Sequence, residues 1–290
     1  MDVINLSHAE AGVFGLVETE ALAQFYDQYG FAVLRGGWSE SLVAEIESAC
    51  VNAQQRLVDG ELPDRYGTTI LVDDTRGASE SVAFANYVTY LTELVPLVRQ
   101  AMGHPAVQAL VTGWLGDNYW LLESERFGVV YQDARPTGSS YSRIGWHSDW
   151  QSGPHLPMWP STAFTFHIDA TSPENGFLRV VPGSHRWATP APYDNVNGAL
   201  VPDGSAPTGG YGDEPPPSPM PLRFGKVPGE IALYCERGDL LFHDAYLWHS
   251  AARATDDDAV RRHVRGSWYT GTPLASGSEW TDDFVKNAAR

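Results

Sequence analysis

The chain reads as an all-β core with flanking helices, a sandwich or barrel of the jelly-roll kind, and three features of the sequence predict this. Up to about residue 118 apolar residues recur at helical spacing. After Trp120 the period shortens to the alternation of strands. From there to about residue 272, short apolar runs are separated by turn-forming residues, as sandwiches and barrels require. With 290 residues the chain is long enough to bury a substantial core, and no polar linker divides it. Residues 1–290 are therefore expected to form a single domain, with a helical front end over about 1–118, a barrel core over about 119–272 and an insertion at about 188–229.

From Thr19 to Tyr29, Leu22, Phe25, Tyr26 and Tyr29 follow the i, i+3, i+4, i+7 pattern, and Gly30 stands where a helix C-cap belongs. Phe31 to Leu34 is a short strand. Ser39 is an N-cap for a second helix with Leu42, Val43, Ile46, Cys50, Ala53 and Leu57 on one stripe, closed by Gly60. A strand is expected over Thr68 to Val72 in an otherwise polar stretch. Two more helices fall near 91–102 and 105–115, where Pro105 suits a first turn. Expected core strands are 120–132, 163–169, 177–181, 230–235, 240–243, 246–250 and 262–270. Between Ala188 and Gly229 lie ten of the twenty prolines. A loop this long beside a site is expected to act as a lid.

Composition narrows the function. Lys plus Arg total 19 against 36 Asp plus Glu, a formal charge of -17, which disfavours nucleic acid or an anionic membrane as partner. Two cysteines imply no disulfide framework and fit a reducing compartment. The start of the chain lacks the basic and apolar regions of a signal peptide, and no run of roughly 18 apolar residues could span a bilayer. A cytoplasmic protein acting on a small-molecule substrate is expected.

The chemistry centres on Trp146-His147-Ser148-Asp149-Trp150. In an extended segment residues i and i+2 point the same way, so His147 and Asp149 could share one ion while Trp146 and Trp150 turn to the opposite side. A second apolar run, Leu240 to Ser250, ends by presenting His249. Two imidazoles and one carboxylate make the facial triad that holds Fe(II) and leaves positions open for oxygen and a co-substrate. His185, His243, His155, His167 and His263 read as structural or ordinary histidines.

The ordered set His147-x-Asp149, then Glu174-Asn175-Gly176 through Pro182-Gly183-Ser184-His185, then Gly238-Asp239-Leu240-Leu241-Phe242 leading to His249, resembles the phytanoyl-CoA dioxygenase family of Fe(II)/2-oxoglutarate oxygenases. The resemblance covers roughly residues 120–270. It implies a double-stranded β-helix, His147, Asp149 and His249 as metal ligands and catalytic centre, and Fe(II), 2-oxoglutarate and O2 as reactants. It also implies an arginine some eleven residues past the second metal histidine to bind the distal carboxylate of 2-oxoglutarate. Val260 occupies that position and Arg261-Arg262 follow. Arg262 shares strand parity with Val264, Gly266 and Trp268, whereas Arg261 shares it with His263, Arg265 and Ser267, which reads as the solvent side. Arg262 is therefore the expected anchor and Arg261 its alternative.

The family's serine two residues past the distal histidine is replaced by Ala251, with Ser250 next to the histidine instead. Tyr131 or Gln132 is the expected replacement donor to 2-oxoglutarate. Trp150 is a candidate wall on the substrate side and Arg143 a candidate anchor for an acidic substrate, against their reading as ordinary packing and surface residues. The expected activity is hydroxylation of an unactivated carbon of a small metabolite, with release of succinate and CO2. Two alternatives are a non-enzymatic ligand-binding barrel that has lost iron and a zinc hydrolase, because the same donors suit zinc.

Overall fold

The computed structural model describes residues 12–68, 70–73, 82–135, 145–152, 158–189, 193–196, 199–202, 208–217, 225–256 and 258–273. In chain order the front part runs β1 (Val13–Gly15), α1 (Thr19–Tyr29), β2 (Phe31–Arg35), α2 (Glu40–Val58), β3 (Ile70–Asp73), β4 (Val82–Ala85), β5 (Tyr87–Val88), α3 (Leu91–Leu94), α4 (Pro96–Met102) and α5 (Pro105–Leu115). The remainder is β6 (Trp120–Leu121), β7 (Val130–Ala134), β8 (Ser161–His167), β9 (Leu178–Val180), β10 (Tyr193–Val196), β11 (Ala199–Pro202), β12 (Ile231–Leu233), β13 (Leu240–Asp244), β14 (His249–Ala251) and β15 (Arg261–Tyr269).

Two sheets make the core. The larger has the order β1-β2-β13-β8-β15-β7-β5, with β6 also paired to β15, and the smaller has the order β12-β9-β14. The helices pack on the outer face of the large sheet: Leu22, Tyr26, Val43, Ile46, Val98, Val107 and Leu110 form one buried cluster with Phe164, Phe166, Leu240, Phe242, Val264 and Trp268. Each such fully buried side chain contributes about 1.5–3 kcal/mol relative to exposure. The inner face meets the small sheet, where Phe31, Val33 and Leu241 pack on Val180 and Leu233. The helical caps follow the sequence. The Ser39 side chain accepts from Leu42 N at 3.3 Å, and Gly30 closes α1 with φ +81°. A Cβ on Gly30 would also stand 2.6 Å from His185 Nδ1, so both the turn and the close approach require glycine here.

Several boundaries differ from expectation for local reasons. Residues 120–132 form two strands, β6 and β7, because the chain between them folds back so tightly that a Cβ on Gly128 would lie 1.9 Å from Leu122 O. The helix expected over 91–102 is divided at Val95, where Pro96 cannot donate and instead takes a first-turn position of α4. The strand expected over 246–250 begins only at His249, because the Asp244 carboxylate accepts from Tyr246 N at 2.8 Å and holds a turn. The front end also supplies β1, β2 and β5 to the large sheet, beyond the packing of helices on it. No helix of the described residues is long and apolar enough to cross a membrane.

Candidate metal centre and co-substrate pocket

His249 opens β14 directly opposite Val180 of β9, so it faces the space between the sheets. His147 joins the same sheet edge through reciprocal backbone bonds, His147 N to His249 O at 3.0 Å and His249 N to His147 O at 2.9 Å. The turn Ser184–Arg186 supports this edge, since Ser184 Oγ accepts from Trp248 N at 2.9 Å while His185 Nε2 donates to Asp27 O at 3.1 Å. The structural role expected of the Pro-Gly-Ser-His segment is thus to tie α1 to the strand that carries His249.

Asp149 does not continue an extended strand. It begins a 3-10 turn, Asp149–Ser152, stabilised by Ser148 N donating to Gln151 Oε1 at 3.0 Å and Trp150 N to Ala245 O at 3.0 Å. Its carboxylate nonetheless meets both histidines: Oδ1 stands 3.8 Å from His147 Nε2 and 3.5 Å from His249 Nε2. The three ligand atoms lie within 4.8 Å of one another. Donors about 2.1 Å from one octahedral ion are roughly 3 Å apart, so the set closes on a metal with a shift of less than about 1 Å. Both Nδ1 atoms face carbonyls, His147 to Gly145 O at 2.8 Å and His249 to Leu247 O at 2.9 Å, which leaves each Nε2 as the donor to metal.

Electrostatics favours the same protonation states. Burial lowers the pKa of His147 and takes His249 well below its ordinary value, which favours the neutral form in which an imidazole binds metal. Burial works against ionising Asp149, but the neighbouring His249, His243 and His147 outweigh it and hold the carboxyl below the usual carboxylate range. His243, read from sequence as an ordinary strand histidine, is a residue of the site that reading missed: its Nε2 lies 3.1 Å from Asp149 Oδ2, whereas Oδ1 is the oxygen nearest the other two imidazoles. The available signal was its alternation with Leu241 on a strand whose Leu240 and Phe242 enter the helix-facing core.

The two arginines lie on opposite faces of β15. Arg262 is on the helix side with Val264 and Trp268, where it forks onto Asp169 at 2.8 and 2.7 Å and reaches Glu47 of α2 at 2.7 Å. Arg261 shares the inner face with His263 and Arg265, and it is buried. The expectation that Arg261 faces solvent is therefore corrected, because a layer of helices covers the opposite face and takes the apolar residues of the strand. On β7, Gln132 pairs with His263 and looks inward, whereas Tyr131 pairs with Val264 and lies in the helix-facing core.

Trp150 is buried and packs near Tyr246, with ring centroids 6.0 Å apart. Trp146 belongs to a different cluster, with Val181, Trp187, Val227 and Trp248, so the two indoles do not share the one face expected of them. Ser250 opposes Arg179 and lies buried on the face of the small sheet turned away from the metal centre, and Ala251 shares the face of His249. Arg143 lies outside the described residues.

Two sheets enclosing a His-Asp-His centre define a metal-dependent protein of the double-stranded β-helix class. The model of the family described as phytanoyl-CoA dioxygenase matches residues 26–264, and the chain belongs to that family. Among solved structures, the chain is similar to EctD from S. alaskensis with 2-oxoglutarate and 5-hydroxyectoine, at 16% identity over 92% of this chain and 80% of that one, TM-score 0.58. It is similar to the epimerase SnoN in complex with Fe3+, alpha ketoglutarate and nogalamycin RO, at 20% identity over 90% and 88%, TM-score 0.57. It is also similar to AviO1 from Streptomyces viridochromogenes Tue57, at 16% identity over 89% and 97%, TM-score 0.54. These likenesses establish the fold. No curated protein sequence matches the chain.

Proposed function

We propose that the protein is an Fe(II)/2-oxoglutarate-dependent oxygenase that hydroxylates an unactivated carbon of a small molecule and releases succinate and CO2. The observation that carries this reading is the convergence of His147 Nε2, His249 Nε2 and an Asp149 oxygen within 4.8 Å, in a member of the phytanoyl-CoA dioxygenase family. Iron bound there with 2-oxoglutarate and O2 supplies the oxidising power, and the protein's contribution is to position and shield.

The residues divide that contribution. The carbonyls of Gly145 and Leu247 fix the tautomers of the two imidazoles, and His243 restrains the second oxygen of Asp149, leaving one face of the centre to the reactants. Arg261, and not Arg262, is our anchor for the distal carboxylate of 2-oxoglutarate. It sits opposite Ala134, which touches Ala251 two residues past His249, so two small side chains leave room between the metal centre and the guanidinium. Gln132, on the same inner face, is the candidate second donor, and Trp150 the candidate wall beside Asp149. A fork-shaped guanidinium suits a carboxylate, and Arg262 has already spent its fork on Asp169.

The test is anaerobic loading with Fe(II), calorimetric titration with 2-oxoglutarate, then exposure to O2 with a panel of metabolites scored for succinate. One iron per chain, iron-dependent binding of 2-oxoglutarate and succinate release are expected. Binding of metabolites without metal would favour the ligand-binding barrel, and hydrolysis supported by zinc alone would favour the zinc hydrolase.

A further inference from the structure

The inner face of β15 carries a second arginine that neither metal nor 2-oxoglutarate requires. Arg265 follows Arg261 and His263 at strand spacing, opposite Thr165 of β8 and Val130 of β7. It is half-buried, its guanidinium lies 5.4 Å from the centroid of the Tyr87 ring, and among the described residues it has no carboxylate partner. Arg35, Arg135, Arg179, Arg237 and Arg262 by contrast each pair with an acidic side chain. Arg265 shares that face with Arg261, His263 and Tyr269, the side of the large sheet on which the metal centre lies.

Charge balance gives this cation a meaning. Fe(II), ionised Asp149, dianionic 2-oxoglutarate and Arg261 together sum to zero, so within the assembled centre Arg265 is left uncompensated. A partly desolvated charge without a partner is unfavourable, and a ligand that brings an anion relieves it. The neighbouring wall is aromatic. Tyr269, on the same face of β15, contacts Trp159 with centroids 5.7 Å apart and Trp120 at 5.6 Å. Trp159 continues to Tyr246 at 6.3 Å, and Tyr246 to Trp150 at 6.0 Å, beside Asp149. Of these rings Trp120, Trp159 and Tyr246 are only half-buried and so still offer surface to a flat or cyclic partner.

We propose that the substrate is a small ring compound bearing a carboxylate or phosphate, with the anion received by Arg265 and the ring by the Tyr269–Trp159–Tyr246 wall. This rests on the iron and 2-oxoglutarate reading, so 2-oxoglutarate binding is measured first, and its absence in the wild type would refute that reading separately. Iron- and 2-oxoglutarate-loaded protein, kept anaerobic, is then titrated by calorimetry with benzoate, phenylacetate and cyclohexanecarboxylate, each against its carboxamide, and with phenyl phosphate.

At least one acid should bind about tenfold or more tightly than its amide, the scale of one charge-assisted hydrogen bond. Arg265→Gln should abolish that preference and leave the 2-oxoglutarate Kd within about threefold, and Arg265→Lys should restore part of it, because an ammonium keeps the charge but loses the fork. Equal binding of acids and amides by the wild type, or no binding of any acid, overturns the proposal. So does a preference that survives in Arg265→Gln. If Arg265→Gln instead weakens 2-oxoglutarate, Arg265 is the co-substrate anchor and the substrate assignment fails. The acid-to-amide comparison needs only the wild type, and iron content with thermal unfolding shows whether each variant has folded.

Discussion

Arg261 and Arg262 are adjacent in sequence and opposite in structure, so replacing each with alanine separates co-substrate binding from stability. Arg261 is buried on the inner face, and a two-pronged bond from it to a carboxylate contributes about 1.5–3 kcal/mol. Its loss should raise the Kd for 2-oxoglutarate about ten- to a hundredfold, by calorimetry on the iron-loaded protein. Iron stoichiometry should not change, because no metal ligand is touched. Arg262→Ala instead leaves Asp169 without its cation and Glu47 with Arg237 alone. Both carboxylates are about a quarter or less exposed, so screening reduces the loss without removing it. We expect about 1–3 kcal/mol of stability lost, seen as a melting temperature several degrees lower, with 2-oxoglutarate affinity within a few-fold of wild type. Exchanged behaviour would refute the inner-face placement of the co-substrate, and unchanged affinity in both variants would take the anchor away from this pair.

His147→Ala, Asp149→Ala and His249→Ala should each lose stoichiometric iron, measured by metal analysis after desalting, because each deletes one of three protein donors. His243→Phe should retain iron with weaker affinity, since it frees Asp149 Oδ2 without removing a ligand, and His243→Gln should recover part of the loss by restoring a donor. Burial pushes the pKa of His167 down to about 3, well below the ordinary 6.5, so above pH 6.5 it is neutral both folded and unfolded. Below that pH the unfolded chain takes up a proton that the folded one refuses, and stability falls by about 1.4 kcal/mol per pH unit for this residue. Urea denaturation of His167→Phe should therefore show a pH dependence shallower by that amount between about pH 6 and 4. For the insertion at 188–229, we propose a cover over the site: limited proteolysis should cut it more slowly once iron, 2-oxoglutarate and a bound acid are present, and identical cutting would make it a passive loop.

The described part of that insertion shows how a cover would seat. Thr189 and Gly209 exchange backbone bonds, Tyr211 N donates to His185 O at 3.1 Å, and Tyr211 Oη to Asp244 Oδ2 at 3.1 Å. A Cβ on Gly209 would stand 2.6 Å from the Trp150 indole, so the bare backbone lies directly on the aromatic residue that follows the metal carboxylate. Burial raises the carboxyl of Asp244 to about 7, partly offset by the bonds from Tyr246 N and Tyr211. These contacts tie 208–217 to the turn between Asp244 and His249, so a displacement of the insertion acts on the segment that presents the second metal histidine.

What could be read from the sequence followed from how local each determinant is. The helix stripes of α1 and α2 and the caps at Ser39 and Gly30 depend on spacing along one element, and the structure places them as spacing demands. His147, Asp149 and His249 also come together, but through a 3-10 turn at Asp149 and a bridge from His147 to His249, not through an extended i, i+2 segment. The side on which β15 presents its charges depends on which face the helices cover, a non-local fact. Val264, Gly266 and Trp268 looked like the inward face because they are the apolar or small residues of the strand. In this architecture the thickest apolar layer lies between the large sheet and the helices, and the space between the sheets is left to histidines and arginines at this end of the strand. A strand in which the polar set is His263, Arg265 and Arg261, and the apolar set is Val264 and Trp268, is therefore covered on both faces, and the polar face is the one to which we assign binding. The same reversal assigns His243 to the carboxylate of Asp149, since it alternates with the core residues of β13 just as Arg261 does with those of β15.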